Sequence, residues 1–326
     1  MGLLEFLFGR AAQRRREAEL ARLNLKFFGY ALARQLAAAL PVRGNLPPAT
    51  IALASKPATQ ADLESDWVAY WAAELKVPVL FHRKLWELAY VLQALHQHDL
   101  LREGVRGLGF GCGVEPIASY LASRGVTVTA TDQSPAARQA QGWQDTSQHA
   151  ASREQCYHGH LIERDAFEAR VGFEFVDMAR IPTHLRGYDF AWSICAFEHL
   201  GTIARGLDFI ETSLDTVRPG GVSVHTTEFN FSDDQRTIDD WRTVLFQKRH
   251  FLELKARLEA RGHIMAPLDF DVGDKPLDRF IDLPPYLHDW SPHRRSLWGH
   301  DHNHIKMAFR GFACTSFGLI VQKAGG

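Results

Sequence analysis

The architecture of this chain is indicated most clearly by one glycine-rich segment, Val105-Arg-Gly-Leu-Gly-Phe-Gly-Cys-Gly-Val-Glu-Pro116. It begins as a short run typical of a buried strand and continues through glycines into a helical pattern. Glycines at such a turn let the backbone bend tightly and approach a ligand closely. This arrangement is typical of a nucleotide-binding β-α unit, although turns into helices often contain glycine for steric reasons alone.

Short β-rich runs alternate with helical stretches after this point, which predicts a parallel sheet. The next helix begins at Ser134-Pro135, an N-cap residue followed by proline at the first helical position, so Asp132 ends the second strand. The predicted fold is α/β: a Rossmann-like, doubly wound, mostly parallel seven-stranded sheet with an N-terminal helical extension. We expect its strands at Val105–Phe110, Val126–Thr131, Gly172–Val176, Tyr188–Ile194, Val222–Thr227, Ile264–Phe270 and Phe312–Val321.

Two helical regions precede the sheet. Residues 2–40 have apolar residues at helical spacing, and an aromatic-rich helical block from Gln60 to Leu101 is expected to contribute its aromatic side chains to the core. Helix Arg242–Gly262 is expected after the fifth strand. We divide the chain into an N-terminal helical leader (1–58), a helical cap (59–103) and a sheet domain (104–326). Residues 271–304, rich in Pro, Asp, His and Arg, are predicted to be an irregular loop insertion.

Composition and charge exclude several classes of protein. Hydrophobic residues at 46% and charged residues at 23% indicate a folded globular chain. The 37 Lys and Arg against 38 Asp and Glu give a net charge of −1, so we expect no DNA partner. Residues 1–40 hold seven basic and three acidic residues, so they carry +4 and the remainder −5. For this leader we expect docking on its own domain or on a homodimer partner rather than peripheral membrane contact.

The cysteines and the N-terminus indicate a compartment. Four cysteines without CxxC spacing favour free thiols in a reducing cytoplasm. The N-terminus lacks the pattern of a signal peptide, and no apolar run reaches the roughly 18 residues of a spanning helix. We therefore expect a cytoplasmic protein without a transmembrane anchor.

Asp132 gives the glycine cluster a functional context. It follows Gly111 by 21 residues, at the end of the second predicted strand. A carboxylate there can accept hydrogen bonds from both hydroxyls of a ribose. The combination fits both a nicotinamide dinucleotide site and an S-adenosylmethionine site.

The spacing of the glycines distinguishes between these two kinds of cofactor site. Counting G-x-G-x-x-G from Gly109 puts Val114 at the third glycine, and counting from Gly111 puts Pro116 there, so the dinucleotide fingerprint fails in both registers. Glu115 would also repel a pyrophosphate, and it suits a ligand with an ammonium and a sulfonium. As an acidic residue in a first helical turn, it is equally well explained by the helix dipole.

Five motifs in order resemble those of class I S-adenosylmethionine-dependent methyltransferases, with a fourth-strand motif of the ubiquinone- and menaquinone-biosynthesis type. Gly109–Glu115 resembles the first motif, Asp132 the ribose-binding acid, and Phe175-Val-Asp-Met178 the adenine-contacting end of the third strand. Tyr188–Leu200, with its Glu-His pair, and Val217–Val222 resemble the fourth and fifth motifs. The resemblance implies S-adenosylmethionine as cofactor, bound by Gly109, Gly111, Gly113, Glu115, Asp132, Gln133, Asp177, Met178 and Cys195.

The chain departs from this family pattern at two places. Gly109 stands at the acidic position of the first motif, and Glu115 stands at its last glycine. The methionine end of the cofactor is therefore expected to be held differently from the family's usual contacts.

Three residues near the ends of the fourth and fifth strands are candidate bases. A hydroxyl acceptor requires a group that removes its proton, and that group must lie near these strand ends. His199 follows the fourth strand, and His225 and Glu228 lie in the fifth. Each could instead be a hydrogen-bonded structural residue.

The histidine-rich insertion offers two further interpretations. His300, His302 and His304 alternate, as ligands on an extended segment do, but no acidic or cysteine partner is identifiable. We favour a solvated polar loop and predict no metal site. We also expect the insertion to cap the acceptor pocket through Tyr286, His288, Trp290, His293 and Arg294.

The leading hypothesis is an S-adenosylmethionine-dependent methyltransferase that acts on a small-molecule or glycan-type acceptor, most readily at oxygen. One alternative is an NAD(P)-dependent oxidoreductase on the same layered fold, which the failed third glycine disfavours. Another is a non-catalytic S-adenosylmethionine-binding protein, which would bind the cofactor without turnover.

Overall fold

The computed structural model describes residues 3–140, 149–286 and 303–325. Within these ranges lie ten α-helices: α1 Leu3–Ala38, α2 Gln60–Leu63, α3 Asp66–Glu74, α4 Arg83–Gln97, α5 Ile117–Ser123, α6 Pro135–Ala140, α7 Arg164–Arg170, α8 Ile203–Ser213, α9 Lys248–Ala260 and α10 Pro276–Arg279. The same ranges contain nine strands: β1 Arg106–Phe110, β2 Thr127–Asp132, β3 Val171–Phe175, β4 Tyr188–Ile194, β5 Val217–Asn230, β6 Ile264–Met265, β7 Ile281–Asp282, β8 Lys306–Phe309 and β9 Phe312–Gln322.

The strands form one sheet in the order β3-β2-β1-β4-β5-β9-β8-β7, and β6 also pairs with β9. The first five strands in this order are parallel, and β9 runs antiparallel to β5. The Rossmann-like, mostly parallel fold is therefore confirmed. The described part has nine strands rather than seven, because β7 and β8, with two and four residues, are too short to produce a recognisable pattern.

The chain reverses its direction of travel across the sheet between β1 and β4. From β1 it proceeds outward to β2 and β3, and then returns to place β4 on the other side of β1. The helices that follow β1 and β4, α5 and α8, therefore pack on opposite faces of the sheet and leave a crevice at the carboxyl ends of these strands. This crevice is where open α/β sheets bind ligands.

Both faces of the sheet are covered by apolar side chains, which explains why its central strands read as continuous buried runs. One face packs against the cap, where Trp71 and Trp86 are buried as predicted. The other face packs against a second aromatic cluster that includes Phe197, Phe209 and Phe246. The cap shares its core with the sheet, and the boundaries at residues 58 and 103 stay a prediction.

Helix α4 places its first turn over the carboxyl end of β5. His82 is its N-cap and accepts a hydrogen bond from the Lys84 amide at its Nδ1, 3.1 Å away. Arg83 Nη2 then lies 2.7 Å from Glu228 Oε1, and its Nη1 lies 3.2 Å from Ser316 Oγ of β9. Arg83 thereby lies over the ends of β5 and β9, and the next residue, Lys84, lines the crevice.

The leader contributes a single long helix whose second half docks on its own chain. Lys26 Nζ lies 2.6 Å from Asp282 Oδ1, and Tyr30 donates to Asp282 Oδ2 at 2.8 Å. Gly29 lies against the Phe280 ring, where a Cβ would meet ring atoms at 2.3 Å. In the described residues, no helix combines the length and apolar composition needed to cross a bilayer.

The described part of the insertion differs from the irregular loop that we expected. It contains α10 and β7, and β7 pairs with β8 at the edge of the sheet. His304 is buried rather than solvated, and its Nδ1 lies 2.9 Å from Asp282 Oδ2. Side-chain contacts with α1 hold this segment in place, and such contacts leave no periodic pattern in the sequence. The remaining insertion candidates lie outside the described residues: His288, Trp290, His293, Arg294, His300 and His302.

Candidate functional site

A cleft of about 1140 Å³ lies at the carboxyl ends of β1, β2 and β4. The turn after β1, the segment after β3 and the first turn of α4 enclose it, and residues along α8 from Arg205 to Thr212 extend it. Its lining residues are Lys84, Leu88, Gly111, Gly113, Val114, Glu115, Pro116, Asp132, Gln133, His149, Val176, Asp177, Met178, Ala179, Arg180, Ile194, Cys195, Ala196, His199, Leu200, Gly201, Arg205, Asp208, Phe209, Thr212, Asp240, Trp241 and Arg242.

Eight of the nine predicted cofactor residues line this cleft, and Gly109 does not. Gly109 lies in β1, where a Cβ would come within 2.3 Å of Cys112 Sγ and 2.4 Å of the Trp192 ring, so its small size serves packing beneath the turn. Gly111 has φ +59°, and a Cβ there would lie 2.8 Å from Ala196 Cβ. Glycine at 111 thus lets the turns after β1 and β4 meet.

The carboxylate of Asp132 is buried at the end of β2 and already accepts several hydrogen bonds. Its Oδ2 accepts from the amides of Gly113 at 3.2 Å and Ala150 at 2.7 Å. Its Oδ1 accepts from the Gln133 amide at 2.6 Å and lies 3.3 Å from His149 Nδ1. These four contacts match the roughly four lone-pair positions of a carboxylate.

A lysine and a glutamate of opposite charge lie beside the glycine turn. Lys84 Nζ is 2.8 Å from Glu87 Oε2 and 3.6 Å from Glu115 Oε1. Burial raises the pKa of Glu115 to about 7, against the opposing effect of Lys84. Sequence reasoning missed Lys84 because it treated the cap as core. A signal was available in the sequence: Arg83 and Lys84 lie four and three residues before Glu87. Residues at these spacings are neighbours on a helix, which indicates a charged cluster at the start of α4.

His199 is the one candidate base that lines the cleft. It lies in a single 3₁₀ turn after β4, and its Nδ1 is 3.0 Å from the carbonyl oxygen of Arg242. Because a carbonyl can only accept, Nδ1 carries the proton, and in the neutral ring Nε2 has the lone pair. Burial lowers the pKa of His199 to about 4, so the ring is neutral at pH 7.

Two buried glutamates lie near one another at this end of the sheet: Glu198 is beside His199, and Glu228 is beside Glu198. Glu198 Oε2 accepts from Thr227 Oγ1 at 3.0 Å, and Glu228 Oε1 pairs with Arg83. Among the described residues, neither Glu198 Oε1 nor Glu228 Oε2 has a hydrogen-bond partner. Burial, followed by the charge of Glu228, raises the pKa of Glu198 to about 8. The sequence motif contained Glu198, but we did not single it out as a candidate site residue.

Cys195 joins these carboxylates at the end of β4. Its Sγ and one oxygen from each of Glu198 and Glu228 lie within 4.8 Å of one another, an arrangement that could hold a metal ion. Arg83 already brings a positive charge to this group. Burial raises the pKa of the Cys195 thiol, so it is protonated at neutral pH. Its φ of +45° is strained for a non-glycine residue, as is common at ligand sites.

His225 and Glu228 are placed differently from what we expected for bases in the cleft, since neither lines it. His225 is fully buried, with Nδ1 2.7 Å from Ser193 Oγ and Nε2 3.3 Å from Ser213 Oγ. Burial lowers its pKa to about 3. Successive side chains of a strand point to opposite faces of the sheet, and the side chain of His225 points into the core. Tyr286, the described residue of the expected acceptor cap, also lies outside the lining; its hydroxyl donates to the Ala308 carbonyl.

Comparison with known proteins gives one family and several similar folds. A family model described as a methyltransferase domain matches residues 45–263. No curated protein matches the chain. Similar solved structures include phosphoethanolamine N-methyltransferase 2 of Haemonchus contortus with S-adenosyl-L-methionine (12% identity, 79% of this chain and 57% of that chain, TM-score 0.43). They also include magnesium protoporphyrin IX methyltransferase of Synechocystis with S-adenosylhomocysteine (11%, 72% and 80%, 0.41) and the [4+2]-cyclase SpnF (17%, 87% and 100%, 0.42).

Proposed function

This chain belongs to the methyltransferase domain family, and we propose that it methylates a hydroxyl group of a small-molecule or glycan-type acceptor. The protein is an S-adenosylmethionine-dependent methyltransferase. When bound, the cofactor supplies a methyl group on a sulfonium centre, which becomes a neutral thioether after transfer. The hydroxyl acceptor is our inference, and the position of His199 in the cleft carries it.

The lining of the cleft fits this cofactor. The methionine part of S-adenosylmethionine bears an ammonium and a carboxylate, and Glu115 and Lys84 offer the opposite charges beside the glycine turn. Asp177 and Met178 lie on the side assigned by resemblance to the adenine, and Asp132 on the side assigned to the ribose. Gly111 lines the cleft without a side chain, so its backbone is exposed to a ligand there. The pair formed by Lys84 and Glu115 would replace the acid that is missing at Gly109.

Binding at Asp132 has a consequence for His149. Since the carboxylate already makes four contacts, a ribose hydroxyl must replace one of them. Among the contacts made by described residues, the 3.3 Å contact with His149 Nδ1 is the longest and the only one from a side chain. We therefore expect His149 to move away from Asp132 when the cofactor binds.

The volume of the cleft supports a small acceptor beside the cofactor. Sites for single small molecules measure roughly 300–1,000 Å³, and this cleft is about 1140 Å³. Its lining also includes His199, Asp240 and Trp241, which are not among the residues assigned to the cofactor. This part of the cleft is our proposed acceptor site.

His199 is our proposed base. Its Nε2 would accept the hydroxyl proton while the acceptor oxygen forms the new bond to the methyl carbon and the carbon–sulfur bond breaks. A protonated His199 would place a positive charge 3.9 Å from Glu198 Oε1, which favours the ionised form of that carboxylate. Glu198 is thus a positioning residue for the charged ring of His199. Glu228 holds Arg83 in place through their ion pair. We do not propose His225 as a base.

Cofactor binding is tested by calorimetric titration with S-adenosylmethionine, S-adenosylhomocysteine and NADH. We expect the first two to bind and NADH not to bind. Asp132→Ala should weaken binding at least about tenfold. The matched control is Asp189→Ala, which removes a carboxylate that also accepts a backbone amide, at the opposite end of the sheet. Unchanged affinity in Asp132→Ala would show that the pocket is misplaced.

The methionine contact is tested separately with Lys84→Gln. This variant should lose affinity for S-adenosylhomocysteine but retain affinity for methylthioadenosine, which lacks the amino acid part. An equal loss for both ligands would contradict the assignment of Lys84.

The acceptor assignment is tested by following S-adenosylhomocysteine release with glycosides, phenols and amines. We expect turnover with hydroxyl acceptors and a kcat about 10²–10⁴-fold lower in His199→Gln, with cofactor affinity unchanged. His184→Gln is the control, because His184 is exposed and pairs with Glu174 away from the cleft. Turnover confined to amines, or an unchanged kcat in His199→Gln, would overturn the proposal. Binding without turnover of any acceptor would favour the non-catalytic alternative.

A further inference from the structure

The first half of the described leader helix is largely exposed, and Arg15, Ala18 and Arg22 border a small pocket together with Pro285. Residues 10–18 are all exposed, and from residue 10 onward the first buried side chain is Lys26. We call Arg10–Leu25 the arm; at 1.5 Å per residue it extends about 24 Å. The remainder of α1 docks through Lys26, Gly29, Tyr30 and Ala33. The arm is therefore a rigid continuation of a firmly anchored helix.

The arm and the turn that follows it expose large apolar side chains. Leu20 is 61% exposed, Phe27 50% and Phe28 67%, and Leu25 is also exposed. Leu20 and Phe27 are seven residues apart and so lie on one side of the helix. Phe27 and Phe28 pack edge to face, with ring centroids 5.5 Å apart. Exposed apolar side chains that lie together mark a candidate contact surface for a partner.

The charge of the arm indicates what that partner is. Its basic side chains outnumber its two glutamates by three: Arg10, Arg14, Arg15, Arg16 and Arg22 against Glu17 and Glu19. All five arginines are exposed. Pairing of two arms would bring two such charges together, which opposes a dimer through this surface. Exposed arginines next to exposed Leu and Phe side chains are instead suited to an anionic lipid surface, where each basic residue adds electrostatic attraction.

We propose that the arm, together with Phe27 and Phe28, binds an anionic phospholipid surface. The arginines would contact lipid phosphates while Leu20 and the two phenylalanines enter the boundary between headgroups and acyl chains. The docked half of α1 would then hold the methyltransferase body at the membrane surface. This inference does not depend on the acceptor that the enzyme methylates.

The test is co-sedimentation of the full chain with vesicles. We expect binding to vesicles of phosphatidylcholine with phosphatidylglycerol, weaker binding at high salt, and little binding to phosphatidylcholine alone. Combined Phe27→Ser and Phe28→Ser substitutions, and separately Arg14→Glu with Arg15→Glu, should each lower the partition coefficient at least about tenfold. Ile264→Ser is the control, because Ile264 is 63% exposed but lies at the edge of the sheet.

Two further measurements keep the result interpretable. Each variant should bind S-adenosylhomocysteine as the wild type does, since none of the described side chains of α1 lines the cleft. Sedimentation velocity without lipid should show one species at all concentrations. Vesicle binding that neither variant lowers would overturn the proposal. So would a concentration-dependent dimer that the phenylalanine substitutions abolish, which would identify a second copy of the chain as the partner.

Discussion

Gly111 is the residue whose size most directly sets the shape of the cleft. Its φ of +59° costs a non-glycine residue about 1–2 kcal/mol, and a Cβ would also press on Ala196 at 2.8 Å. Gly111→Ala should therefore push the turns after β1 and β4 apart and weaken cofactor binding more than about tenfold. Calorimetric titration measures the effect.

Gly104→Ala is the matched control for this change. Gly104 has φ +83°, and a Cβ there would have nothing within 4 Å. It should lower stability through backbone strain alone and leave cofactor affinity unchanged. Equal affinity losses in the two variants would show that strain, and not the approach to Ala196, explains the effect.

His225 should make the stability of the protein depend on pH. Its pKa is lowered by burial to about 3, whereas an unfolded chain protonates it near 6.5. The unfolded state binds more protons between these values, so the free energy of unfolding falls as the pH falls below 6.5. One such group contributes up to about 1.4 kcal/mol per pH unit.

Urea unfolding at several pH values between 7 and 4 measures this dependence. His225→Asn should be less stable than the wild type at pH 7, and the difference should shrink as the pH falls. A difference that is constant with pH would mean that folding does not shift the pKa of His225.

Helix α1 illustrates how one element combines two roles. Removing residues 1–25 deletes the arm but keeps the contacts of Lys26 and Tyr30 with Asp282. Removing residues 1–40 also deletes these contacts and leaves a buried carboxylate without its lysine. Breaking a buried ion pair costs roughly 3–5 kcal/mol. The shorter deletion should therefore leave stability nearly unchanged, and the longer one should lower it.

Both truncated chains should bind S-adenosylhomocysteine with wild-type affinity, provided that they are folded at the temperature of the titration. Denaturant unfolding and calorimetric titration of the same samples give the two quantities. Loss of affinity in the shorter chain would show that the arm contacts the cofactor site. Equal stability of the two chains would show that Asp282 does not anchor α1.

Helix α4 illustrates a second element whose role depends on its neighbours. Its aromatic and aliphatic residues are core, as we predicted from their type. Its first turn also directs Arg83 and Lys84 into a group of four acidic side chains from other parts of the chain and from α4 itself: Glu87, Glu115, Glu198 and Glu228. The function of this turn follows from the packing of α4 on β5 and β9.

At the scale of the whole molecule, cofactor binding is coupled to folding. The cleft is formed by the turn after β1, the end of β2, the loop after β4 and α4, so a ligand bound there contacts only the folded chain. A ligand at a concentration of 100 times its dissociation constant adds about 2.7 kcal/mol to the free energy of unfolding. S-adenosylhomocysteine should therefore raise the unfolding midpoint of the wild type.

Thermal unfolding with and without the ligand checks this coupling. Asp132→Ala should show a smaller increase at the same ligand concentration, while Asp189→Ala should show the full increase. An increase of equal size in all three proteins would mean that the ligand binds elsewhere.

The sequence alone determined the layered fold, the positions of β1 to β5 and β9, and the cofactor class. Of the predicted strand Ile264–Phe270, only Ile264–Met265 is β-structure. These features depend on local pattern, because buried strands, helix caps and glycine turns are set by residues close together in the chain. Eight of the nine residues predicted to bind the cofactor line the cleft for the same reason. Strand ends in a parallel sheet meet at one edge, so residues at those ends can be grouped without coordinates.

Which titratable residues lie together could be seen only in the tertiary structure. Lys84 reaches Glu115 because α4 crosses the sheet, and Asp282 binds Lys26 although 256 residues separate them. His225 is in the core and His199 in the cleft because each side chain follows the direction of its own backbone segment. Burial and long-range contacts depend on the packing of distant elements, and neither leaves a periodic signal in the sequence.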